Sequence, residues 1–126
     1  MRIVRTCDDA RKRITLKPIG PVSLQDVMGL LQRQQEDGTS HYGVLYDLRA
    51  VAPLVSVSQV RELATEVARV GPSSPGPVAM VVVDAELYVR ACSYAALVRP
   101  SGRRLQVFRD LADAEAWLDA ETDASG

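Results

Sequence analysis

Aromatic residues make up only 5% of this 126-residue chain, which holds one histidine, one tryptophan, one phenylalanine and two cysteines. A single imidazole excludes a His-rich metal centre and a relay of several histidines. Cys7 and Cys92 are far apart, and neither has a second Cys or a His beside it. That excludes CxxC redox and zinc-ligand spacings and predicts two reduced, packed thiols in a cytoplasmic protein. An excess of one charge is lacking as well: 15 Lys and Arg stand against 16 Asp and Glu, for a net charge of -1. Such balance argues against nucleic acid as a partner. No apolar run approaches the roughly 20 residues of a membrane span, so no integral membrane segment is expected. The opening Met-Arg-Ile-Val-Arg-Thr lacks the apolar core and cleavage site of a signal peptide, and the expected location is cytoplasmic.

Catalytic signatures are missing too. There is no P-loop, no G-x-G-x-x-G and no G-x-S-x-G. No nucleophile, base and oxyanion site assemble, so the expectation is a non-enzyme with no catalytic residue, no metal and no cofactor. His41 sits between Ser40 and Tyr42 near Gly38 and Gly43 and reads as an exposed turn residue rather than a general base.

What is present is one core's worth of apolar residues, 47% of the chain, in distinct patterns. Residues 2–6 and 13–19 predict two antiparallel strands joined by a polar turn. In the second, Ile14 and Leu16 alternate with Arg13, Thr15 and Lys17, until Pro18, Gly20 and Pro21 stop it. Ser23 caps a first helix with Asp26 three residues on, Val22 and Val27 are placed for a hydrophobic staple, and Gly38 closes the helix region. Residues 42–48 are almost continuously apolar and predict a buried, central strand. A second helix runs from about Val57 to Val70, with Val60, Leu63, Ala64 and Val67 at helical spacing. The Gly-Pro-Ser-Ser-Pro-Gly-Pro stretch at 71–77 reads as a crossover loop leading to a strand at 78–83.

Asp84 caps a third helix, unusually apolar, from Ala85 to about Val98. Such a helix is either deeply packed or offers an apolar side to a partner or ligand. A strand from Leu105 to Phe108 leads to a last helix capped by Asp110 and reaching Leu118. The order ββαβαβαβα predicts a single α/β domain over residues 1–119: a mixed five-stranded sheet with helices packed on it. Residues 120–126 are small and polar and predict a disordered tail.

Asp47-Leu48-Arg49-Ala50-Val51 after the central strand, the stretch from Phe108 to Leu118, and the order of elements over residues 2–118 give the chain a resemblance to STAS domains. These are SpoIIAA-like anti-sigma factor antagonists, and the likeness is to an uncharacterised bacterial branch grouped with SEC14-type domains. The resemblance implies a SpoIIAA-like fold and a regulatory domain that binds a protein partner. In phospho-regulated members a serine at the start of a helix is modified by a partner kinase, and that serine falls on Ser56. The family places an Asp before it and a Ser-Gly after it, where this chain has Val55 and Val57-Ser58.

From the residues alone, Ser56 and Gln59 form a capping box, with Val55 and Val60 as its staple. The same helix start also suits a phosphate. The candidate partner surface is therefore Ser56 and Ser58 with Asp47 and Arg49, the last two expected to form an ion pair. Leu87, Ala91, Tyr94, Ala95 and Val98 are candidates for an apolar pocket or a homodimer face. The pocket is the alternative function, a small lipid-like ligand of SEC14 type. Arg99, Arg103 and Arg104, with Arg109 nearby, form a candidate anion patch.

Overall fold

A computed structural model describes residues 2–21, 23–39, 41–52, 56–70, 76–102 and 104–125. Among the described residues six strands and four α-helices follow one another as β1 (Arg2–Asp8), β2 (Arg13–Pro21), α1 (Leu24–Glu36), β3 (Gly43–Asp47), β4 (Val51–Ala52), α2 (Val57–Val70), β5 (Val78–Val81), α3 (Ala85–Val98), β6 (Leu105–Phe108) and α4 (Leu111–Ser125). Five strands form the main sheet in the order β1-β2-β3-β5-β6, with β4 paired to the end of β2. β1 runs antiparallel to β2, and every other pairing is parallel. β3 is thus central, as its continuous apolar run predicts, and the sheet is the expected mixed one.

Pro18 does not end β2, which continues to Pro21. Parallel pairing with β3 stops at Leu16, and pairing with β4 starts at Gly20, whose N–H donates to the Ala50 carbonyl. By the two-residue alternation of a strand, the N–H that Pro18 lacks belongs on that same side, in the gap between the two partners. The proline therefore costs the sheet no hydrogen bond.

The two faces of the sheet hold separate cores. Ile14, Leu16, Val44, Val78 and Leu105 pack under Val60, Ala64 and Val67 of α2 and Tyr94, Ala95 and Val98 of α3. On the opposite face, Leu45, Ala79 and Val81 lie under Ala114 and Leu118 of α4. Phe108 and Trp117 close that side, their ring centroids 5.8 Å apart. Arg13, buried at the start of β2, reaches this face through an ion pair of 2.7 Å to Asp119 of α4. Its Nε has no hydrogen-bond partner.

Two further expectations need correction, and one strand was not foreseen. α4 runs to Ser125, through most of the stretch predicted as a disordered tail. Ala120–Ser125 contains no helix breaker, Thr122 Oγ1 donates to the Leu118 carbonyl at 2.8 Å, and Arg104 pairs with Glu121 at 2.8 Å. Both cysteines are exposed rather than packed: Cys7 lies on the edge strand β1 and Cys92 on the outer side of α3. The two-residue strand β4 carries no periodicity from which it could have been foreseen. Val22, Ser40, Val55, Arg103 and residues 71–75 of the crossover loop lie outside the described residues. Gly76 and Pro77, which close that loop, are buried. A Cβ at Gly76 would collide with the backbone carbonyls of His41 and Tyr42.

Candidate functional site

Asp47, Val81 and Phe108 are register partners at the carboxyl ends of β3, β5 and β6. In an open parallel sheet this is the edge where binding sites gather. The chain leaves it into α2, α3 and α4, so three capped helix starts lie along one side of the molecule. Asp84 accepts from the Leu87 N–H at 2.8 Å, and Asp110 from the Ala112 N–H at 2.7 Å.

The start of α2 has the predicted capping box. The Gln59 N–H donates to Ser56 Oγ at 3.3 Å, and the Ser56 N–H donates to Gln59 Oε1 at 2.8 Å. Ser58 is drawn in as well, its hydroxyl oxygen 3.1 Å from that of Ser56. Both serines are exposed, and Val57 between them keeps 60% of its surface in solvent. From Val57 a shallow groove runs between α2 and α3, bordered by Arg61, Val89, Ser93 and Leu97. Val89 and Leu97 are 64% and 46% exposed. The sequence marked the apolar excess of α3 but not this strip, because only the packing of α3 on the sheet separates its inner residues from its outer ones.

Asp47 and Arg49 form the expected ion pair. Arg49 grips both carboxylate oxygens, Nε to Oδ1 and Nη2 to Oδ2, each at 2.8 Å. Hydrogen bonds from the Arg49 side chain hold the Asp47 carboxyl below the usual carboxylate range, against the opposing effect of its burial. A carboxylate clamped in this way is a poor proton acceptor, so the pair reads as a brace at the sheet edge.

The arginine patch is not one cluster. Arg99 sits exposed at the end of α3, and Arg104 is tied to Glu121 before β6 begins. Arg109 lies beyond the other end of β6, its guanidinium 4.3 Å from the centre of the Tyr88 ring. With the four residues of β6 between them, Arg104 and Arg109 are five strand steps apart, roughly 16 Å at the usual rise. His41 is exposed, with its ring edge-on to Tyr42. The Cys7 thiol donates to Asp9 at 3.4 Å, and its pKa is raised by partial desolvation and by that carboxylate, which disfavours the thiolate.

Of the apolar set on α3, all five side chains are buried within the chain, which closes them as a face for a second copy. Leu87, Ala91 and Tyr94 line a cavity of about 140 Å³, whereas Ala95 and Val98 pack away from it in the core. The rest of the wall comes from α1, α2 and the sheet, including Val27, Leu30, Tyr46 and Leu63. Sequence reasoning missed this wall from α1; the signal that could have found it is the spacing of Val27, Leu30 and Gln34 along one helix face. What it could not give is that this face looks onto empty space.

No family model and no curated protein matches the chain. Among solved structures it is similar to an uncharacterized protein from the DUF3478 family with a SpoIIAA-like fold from Shewanella loihica PV-4. That likeness has a TM-score of 0.62 and 13% sequence identity, and covers 93% of this chain and 92% of that one. It is also similar to an anti-sigma factor antagonist from Mycobacterium paratuberculosis, with a TM-score of 0.57 and 16% identity over 93% of this chain and 94% of that one. At such identities the likeness is one of fold.

Proposed function

The chain has a SpoIIAA-like fold, and from that premise we propose that it is a non-enzymatic regulatory module that docks a protein partner at the start of α2 and along the α2–α3 groove. The observation that carries this reading is the exposed Ser56-Val57-Ser58 turn. Two hydroxyls 3.1 Å apart flank an apolar side chain that is 60% exposed, at the head of a groove bordered by more exposed apolar residues. A fold shared with an anti-sigma factor antagonist supports a partner that is itself a protein.

Phosphorylation of Ser56 or Ser58 is the switch in this reading. A dianion at a helix start is favoured by the dipole and by unpaired N–H groups, yet it would place charge at the mouth of an apolar groove. Two exposed thiols suit a reducing, cytoplasmic compartment. The test is intact-mass measurement of protein from its own host, followed by site-specific photo-crosslinking from position 61 in Ser56→Ala and Ser56→Asp chains. One stoichiometric crosslinked species with Ser56→Ala, lost with Ser56→Asp, is the expected outcome. Equal crosslinking by both variants removes the switch, and no crosslinked protein in either removes the docking surface.

A lipid-like ligand of SEC14 type is the second reading, and the cavity is the observation in its favour. Its volume, about 140 Å³, matches one six-membered ring rather than a lipid tail.

A further inference from the structure

Of the four helices, α1 alone buries none of its described side chains fully. Val27, Met28 and Leu30 are only half-buried, although they form the apolar stripe of an amphipathic helix that lies over the sheet. The reason is beneath them: Val27 and Leu30 look across the 140 Å³ cavity toward Tyr46, Met80, Leu63 and Ala91. The wall includes the tyrosines Tyr46 and Tyr94, and two further polar side chains, Gln34 and Arg90, reach it while engaged elsewhere. Gln34 donates through Nε2 to the Thr39 carbonyl at 2.8 Å, and Arg90 pairs with Glu86 at 2.7 Å. A water molecule held in such a space needs two to four polar partners, and an apolar cavity of about 150 Å³ stays dry and takes up benzene.

We propose that this cavity is a binding site for a small, uncharged apolar ligand, a single six-membered ring or a branched hydrocarbon of equal bulk. The assignment rests on the cavity behind the second reading above and replaces its lipid-like occupant; it is independent of the partner surface. α2, α3 and the main sheet each give the wall fully buried side chains, Val60, Ala91 and Val44 among them, whereas α1 gives none, so α1 is the wall that yields to admit the ligand.

Benzene is the probe, titrated into the intact chain with the methyl resonances followed by NMR. Saturable shifts at Val27, Leu30, Leu63 and Leu87, with Leu45 and Leu118 on the far face unmoved, are expected. Ala91→Leu fills the space and should weaken benzene binding at least tenfold while the chain keeps its far-UV circular dichroism. If Ala91→Leu does not fold, Val27→Leu on the half-buried wall makes the same test. Non-saturable shifts, shifts spread over both faces, or unchanged affinity in a folded filled variant overturn the site. Tighter binding of decanoate than of benzene overturns the ligand class. Ser56→Asp should bind benzene like the parent, so failure of the partner reading and failure of this one are separable.

Discussion

Asp47 is a buried carboxylate whose partner approaches from solvent, and that asymmetry sets its pH behaviour. Because Arg49 holds its folded pKa below the unfolded value near 3.9, the folded chain binds fewer protons than the unfolded chain as acid is added. The stabilisation is therefore complete above about pH 4 and disappears as the pH falls through the depressed value. Arg49→Ala should move the Asp47 titration, read from its carboxyl carbon by NMR, upward and shift acid unfolding to higher pH. An unmoved titration would show that the clamp does not set this pKa. Gly76 is a second residue with a sharp requirement, since its missing side chain lets the chain pass against the His41 and Tyr42 carbonyls. Gly76→Ala should cost about 1–3 kcal/mol as overpacking against backbone. A lowered urea midpoint with an unchanged slope is the expected readout.

At the level of elements, much of this protein is legible in its sequence because caps and periodicity are local. Ser23 with Asp26, Ser56 with Gln59, Asp84 and Asp110 each announce a helix start, and each accepts the N–H bond that its position calls for. The Ser56 cap gives a direct test: Ser56→Ala should lose about 1 kcal/mol of stability. Ser56→Asp should keep it, since aspartate caps as well as serine and suits the helix dipole. Thermal unfolding of the two variants measures this independently of any partner. What the sequence did not reveal depends on partners distant along the chain. β4 exists only because Gly20 and Pro21 lie beside Val51 and Ala52. The last turns of α4 are tied by Arg104 to Glu121, and no periodicity encodes that contact. For the candidate site, the serines, the Asp47–Arg49 pair and three cavity residues on α3 were legible. The separation of Arg104 from Arg109 and the α2–α3 groove were not, since both follow from how β6 and α3 sit on the sheet.

At the scale of the whole molecule, the sheet divides the protein into two unequal halves. One face is packed by three helices and contains a cavity, while the face opposite is covered by α4. The Arg13–Asp119 pair ties the second strand to that last helix. Asp119→Ala leaves a buried guanidinium with no carboxylate and should cost about 1–3 kcal/mol, reduced from the full buried-pair penalty because Asp119 is largely exposed. Arg13→Met in the same background should recover most of that loss, because an apolar side chain makes no such demand. Chemical denaturation of the single and double variants decides it. If Asp119→Ala is neutral, water already serves the guanidinium.

That pair also bears on how the chain is made. A ribosome releases Arg13 early and Asp119 more than a hundred residues later, after all six strands have emerged. Until then Leu45, Ala79 and Val81 have nothing to cover them, and the guanidinium beside them has no counter-charge. The face under α2 and α3 is itself complete only once Leu105 of β6 has emerged, and from then until α4 follows the chain has one covered side and one bare side. Covering of that second side waits on the arrival of α4 rather than on the gradual growth of the sheet.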